Sequence, residues 1–216
     1  MRQKIKAILD SVRAPDRSGT LAGQIFVSIG VLCFGALLGV VQKWLDGTAA
    51  NELPALLQRL DIGNFFGRLG IWILLATILS VYANTPNRAA INVFLLFISM
   101  LSCYYLYCHF VLGFLPVSYM MLWVRIACVS PVLAWLCWYA KGQGIAAVLL
   151  SGGILGVLFS QAFLIMQGIM VTHLLEVVVW IVGCVVLRRE PKEFVMMLGV
   201  SLGTAVVYQL FIPYWG

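Results

Sequence analysis

Residues 89–110 read AAINVFLLFISMLSCYYLYCHF, an unbroken run without Asp, Glu, Lys or Arg. As an α-helix rising 1.5 Å per residue, such a run is about 33 Å long, enough to cross a hydrocarbon core of about 30 Å. It shows no strand-like alternation, and an open strand has no partner for its backbone groups in lipid. Working outward, six further runs of this kind stand at 22–45, 65–83, 118–140, 144–166, 170–187 and 194–212.

Composition agrees. Of 216 residues, 62% are hydrophobic and only 10% charged, and the mean hydropathy is +1.01. A soluble domain carries about 25% charged residues and cannot bury this apolar excess. The fold class is therefore all-α, a polytopic transmembrane bundle of seven spans. A segment at 1–20 precedes a single helical domain at 21–216. Cys33, Cys103, Cys108, Cys128, Cys137 and Cys184 all lie within apolar runs and form no C-x-x-C pair. They read as small hydrophobes, not as a disulfide or metal framework.

The formal charge of +6 is an orientation signal. Arg2, Lys4, Lys6, Arg13, Arg17, Arg88, Lys141, Arg188, Arg189 and Lys192 flank alternate ends of the seven runs, ten of the fourteen basic residues on one side. Basic flanks stay in the cytoplasm. The expected topology is N-terminus in and C-terminus out, in the cell membrane, with anionic lipid and not nucleic acid as the partner of the charge. The run 1–12 places Ile5, Ile8, Leu9 and Val12 on one face and predicts an interfacial helix. Leu53, Leu56, Leu57 and Leu60 behind Asn51 predict a second, resting on the headgroups or covering the outer mouth.

Three runs carry G-x-x-x-G, at Gly35/Gly39, Gly152/Gly156 and Gly199/Gly203. Such stripes let helix backbones approach closely, either within the chain or against a partner subunit. Pro131 after Ser130 predicts a kink in the fourth span.

Two ionisable residues lie deep. Arg125 is seven residues into the fourth span and Glu176 six residues into the sixth, each about 9–10 Å below the outer boundary. Equal depth predicts an Arg125–Glu176 pair, structural or ligand-coordinating. His173 shares a helical face with Glu176. His109, Tyr104, Tyr105, Trp123 and Gln161 fall in the same outer layer, with Arg68, Trp72 and Gln209 nearby. Intramembrane ionisable residues default to functional sites. These eight (Arg125, Glu176, His173, His109, Tyr104, Tyr105, Trp123 and Gln161) are the candidate ligand-binding or coupling residues.

No catalytic residue, metal or cofactor is expected. The H-x-x-E at 173–176 plus His109 is too weak a spacing for zinc, and G-x-S-x-G and a P-loop are absent. The expected partners are the bilayer, a polar or anionic small molecule, and a membrane subunit on one of the glycine stripes.

Several stretches carry a resemblance: FFGRLGIW at 65–72, YYLY at 104–107, FLPVSYMM at 114–121, SP at 130–131, CWYAKG at 137–142, SQAF at 160–163 and LLE at 174–176. Together they resemble a family of small uncharacterised multi-pass membrane proteins of anaerobic Firmicutes. The resemblance implies a shared fold and carries no known activity. Three functions stay open: a small-molecule or ion transport component with its polar site in the outer half, a structural or assembly subunit of a larger complex, and a membrane enzyme acting on a lipid-linked substrate.

Overall fold

The computed structural model describes residues 2–16, 18–165 and 168–212. It is helical apart from one two-residue antiparallel ladder, β1 (Phe163–Leu164) with β2 (Met170–Val171). A short amphipathic helix, α1 (Arg2–Val12), comes first. The helices that follow are α2 (Leu21–Gly47), α3 (Ala55–Arg59), α4 (Ile62–Phe65), α5 (Leu69–Val81), α6 (Pro86–Leu112), α7 (Val117–Trp138), α8 (Gly144–Ala162), α9 (Leu174–Val186) and α10 (Pro191–Phe211).

Five of them, α2, α6, α7, α8 and α10, are long and apolar enough to cross a membrane. α5 and α9 are apolar but only 13 residues each, about 20 Å of helix. The outer faces of the long helices carry unpaired large apolar side chains, with Phe26 78% and Phe211 80% exposed. Such faces are stable against lipid and not against water.

The bundle contains an internal repeat. In each half a glycine-striped helix (α2, α8) is followed by a connection, a 13-residue helix (α5, α9), four residues (Tyr82–Thr85, Leu187–Glu190) and a helix with Pro at its first position (α6, α10). Pro suits that position because its missing N–H has no helical acceptor there. The packing repeats residue by residue. A β-carbon on Gly35 would strike the Leu96 carbonyl and Ser99, and one on Gly156 the Ser201 carbonyl and Thr204. Leu96 and Ser201 are each the eleventh residue of their helices. One turn on, Gly39 lies against the Met100 carbonyl, and Ser160 Oγ donates to the equivalent Ala205 carbonyl at 3.4 Å. Contacts ascend together, so α2 runs parallel to α6, and α8 to α10. α7 joins the halves.

Two of the three glycine stripes are thus consumed within the chain. The third is open: among the described residues nothing lies within 4 Å of a β-carbon built on Gly199 or Gly203.

The short helices α5 and α9 meet in the centre and run parallel, with Gly183 of α9 near Leu74 of α5 and Leu155 and Leu158 of α8. Their C-terminal ends are capped by cations, as the helix dipole favours. Arg13 donates to the Val81 and Trp138 carbonyls at 2.9 and 2.6 Å and stacks over the Trp138 ring. Lys141 reaches the Val186 carbonyl at 2.5 Å. Arg189 holds the Ala140 and Gly142 carbonyls, Ser151 and Glu193. This basic end is therefore a clamp as well as a charge signal. Leu9 and Val12 of α1 pack beneath it against Trp138 and Tyr139 while Ile8 stays exposed; the Ile5 side chain lies outside the described residues.

Three local expectations change. In the run 170–187, Met170–Val171 pair with Phe163–Leu164 and the helix starts only at Leu174, so His173 is its extended N-cap and not a residue on one helical face with Glu176. The leucine run at 53–60 forms no single helix behind Asn51: a 3-10 turn ends at Glu52, and Pro54 is the N-cap of the short α3. Pro cannot continue the preceding turn. The run 65–83 also splits, because the chain turns at Gly67 and α5 starts only after Arg68. In α7, Pro131 has no N–H for the Ala127 carbonyl, and Ser130 Oγ donates to that carbonyl at 2.8 Å instead.

Candidate functional site

The N-terminal ends of α5 and α9 hold the densest charge inside the bundle. Arg68 is the N-cap of α5 and Glu176 lies in the first turn of α9. Arg68 Nε donates to Glu176 Oε1 at 2.9 Å, and Arg68 Nη1 donates to Asp61 Oδ2 at 2.6 Å. Asn64 Nδ2 donates to the other Asp61 oxygen at 2.8 Å. His173 Nε2 stands 3.5 Å from Asp61 Oδ2, an ion pair only when the imidazole is protonated. Arg68 is 7% and Glu176 0% exposed, while Asp61 and His173 remain a third open. The network thus runs from the buried junction of the two halves toward the surface.

Gly70 makes this geometry fit. A β-carbon there would collide with Glu176 Oε2, so the carboxylate lies directly over the first turn of α5. The positive end of the α5 dipole adds to the Arg68 charge at that point. Among the described residues, two buried atoms of this network find no hydrogen-bond partner, Arg68 Nη2 and Glu176 Oε2. One is a donor and the other an acceptor, the pair of contacts that a carboxyl, amide or zwitterionic solute satisfies. For Asp61, partial burial pushes the carboxyl up. Hydrogen bonds from Arg68 and Asn64, with the Arg68 charge, outweigh this and hold it below the usual carboxylate range.

The expected Arg125–Glu176 pair is corrected by this arrangement. Glu176 pairs with Arg68, and Arg125 is exposed with no hydrogen bond or ion pair among the described residues. Equal depth fixes height along the bundle but not direction around it.

The remaining candidates fall in three places. Tyr104, Tyr105 and Trp123 gather with Gln42 and Trp72 around a void of about 10 Å³, room for about one water. There Tyr104 donates to Asp46 at 2.6 Å, and Lys43 lies over the Tyr104 ring. Tyr105 Oη is buried without a hydrogen-bond partner among the described residues. Gln161 is on the other side of the fold, 3.4 Å from Tyr208, with its carbonyl accepting from Thr172. His109 is exposed near the end of α6 and meets the Phe110 ring edge-on. Among the described residues no three His, Cys, Asp or Glu side chains gather to hold a metal.

Sequence reasoning named Arg68 only as a member of the polar layer and Asp61 only as a loop charge. The available signal was G-R-L-G at 67–70: an arginine at the edge of an apolar run, flanked by glycines that let another group close on it.

No protein-family model, curated protein or solved structure matches the chain.

Proposed function

We propose that the chain is a small-molecule or ion transport component of a cell membrane. It crosses seven times with the N-terminus cytoplasmic, and the Arg68–Glu176 network closes its outer end. Three features support the topology: seven apolar helices in one bundle, basic residues at the end opposite the network, and the central position of α5 and α9. Being short, those two helices begin below the membrane boundary, which sets the network in a recess.

One observation carries the functional reading. A buried ion pair joins the N-terminal ends of two short helices, one from each repeated half, and each partner has an unspent polar atom. Transporter folds are commonly built from repeats whose interrupted or short helices aim their N-termini at a substrate near the repeat interface. Breaking the pair exposes a guanidinium and a carboxylate to a solute of matching polarity, and reforming it closes the path.

The test is thermal unfolding of purified protein against a panel of small anionic, zwitterionic and cationic solutes. A solute at a hundred times its Kd stabilises by about 2.7 kcal/mol. A solute that raises Tm in wild type and not in Arg68→Gln or Glu176→Gln supports the reading. Identical responses in all three proteins, or none across the panel, reject it.

The open Gly199/Gly203 face of α10 supports a second reading, a structural subunit docked through that face. Stoichiometric co-purification of a membrane partner, abolished by Gly199→Leu, is its signature.

A further inference from the structure

Arg125 stands on a face made otherwise of apolar side chains. Leu122, Val129, Val132 and Leu136 lie one to three turns away on the same side of α7, and all are exposed. A guanidinium on such a face is costly without a partner. The chain has only eight carboxylates. Asp10, Asp16, Asp46, Glu52 and Asp61 lie in α1, in connections or in the last turn of α2; Glu190 and Glu193 open α10; and Glu176 is buried against Arg68. A second copy therefore brings no carboxylate on an exposed mid-helix face to meet Arg125. The missing anion comes from another kind of molecule.

A cavity of about 470 Å³ adjoins this face. Its floor is α5, and its walls are α7 and α8, which touch each other little. Leu133 and Leu136 of α7 and Leu149 of α8 line it and are themselves exposed, so the cleft opens sideways between the two helices. The lining is almost wholly apolar, Trp72, Ile73 and Ile154 included. Water gains nothing there, and a hydrocarbon chain does.

The relative heights fit one amphiphile. Arg125 lies eight residues into α7, about 12 Å along the axis, and Leu133 and Leu136 lie about 12–17 Å further. Helical side chains lean toward the N-terminus, so Arg125 extends toward the nearer membrane surface while its stem lies on apolar neighbours. A headgroup phosphate near that surface meets the guanidinium, and an acyl chain descending from it reaches the cleft.

We infer that the α7–α8 cleft is a binding site for a single anionic phospholipid, with its phosphate on Arg125 and a chain between the two helices. The site is separate from the Arg68–Glu176 network and stands whether or not the chain transports solutes.

The test is native mass spectrometry of protein released from nanodiscs of equal parts phosphatidylglycerol and phosphatidylcholine. Wild type is expected to retain one lipid, with phosphatidylglycerol favoured about fivefold, the effect of one basic residue at a membrane surface. Arg125→Gln touches no other group and is expected to retain lipid without headgroup preference. Gly153 lines the cleft with nothing within 4 Å of its β-position, so Gly153→Phe fits the fold and fills the site. It is expected to lose the retained lipid of both kinds. Equal retention of both lipids by all three proteins overturns the inference. So does a co-purifying membrane protein whose release by Arg125→Glu shows that a helix carboxylate is the anion.

Discussion

Three things converge on Glu176 at zero exposure: the Arg68 guanidinium, the start of α5, and the missing side chain of Gly70. Truncating one member of a buried pair leaves the other uncompensated, at a cost of about 3–5 kcal/mol. Glu176→Ala and Arg68→Ala are each expected to lose that much in detergent unfolding, and the double variant much less than the sum. Additive losses would show that the two do not interact. Gly70→Ala is expected to lose about 1–3 kcal/mol by overpacking, against little change for Gly153→Ala, where space is free. Asp61 adds a pH dependence. Its folded carboxyl lies below its unfolded value, so its contribution is complete above the unfolded value and disappears as pH falls through the folded one. Wild type and Asp61→Asn are therefore expected to differ in Tm from neutrality down to about pH 4 and to converge only at lower pH, as the folded carboxyl takes up its proton. Parallel curves into acid would contradict the assignment. Glu176 and His173 were legible in sequence as ionisable residues in an apolar run. The partner was not. Every bundle helix is apolar nearly all round, so no polar stripe shows that Arg125 faces outward and Arg68 inward.

The elements obey stronger local rules. Each of the seven apolar runs carries a helix, five of them long enough to cross a membrane and two, α5 and α9, of only 13 residues. Boundaries moved where a specific residue intervened: Pro54 broke the leucine run, and Gly67 with Arg68 delayed α5. Glycine spacing showed three close-packing faces but not which were filled. The structure separates them, and substitution can too. Gly35→Leu and Gly156→Leu are expected to unfold the protein or lower Tm sharply, because their β-positions strike backbone carbonyls of α6 and α10. Gly199→Leu and Gly203→Leu are expected to leave the isolated chain as stable as wild type, since both sites are open. A comparable loss at all four would mean that the third stripe is also covered.

At the scale of the whole molecule, two three-helix halves repeat around a connecting α7. The repeat is invisible in sequence because α5 and α9 share length, spacing and a following Pro, but hardly any residue identities. It emerges only when helix ends are known. The halves meet at one end beside the cationic caps of Arg13, Lys141 and Arg189, and at the other in the buried pair Arg68–Glu176 and the apolar side chains around it. On the proposed transport function, the network end is where the halves part. The most direct measurement is the distance between spin labels at Arg59→Cys and Val171→Cys, both exposed near that end in opposite halves, on a background without native cysteines. A single short distance in the parent protein, joined by a longer population in Glu176→Gln, is the result expected if the pair is a closing latch. The same distribution in both proteins would contradict it and leave Arg68–Glu176 as packing alone.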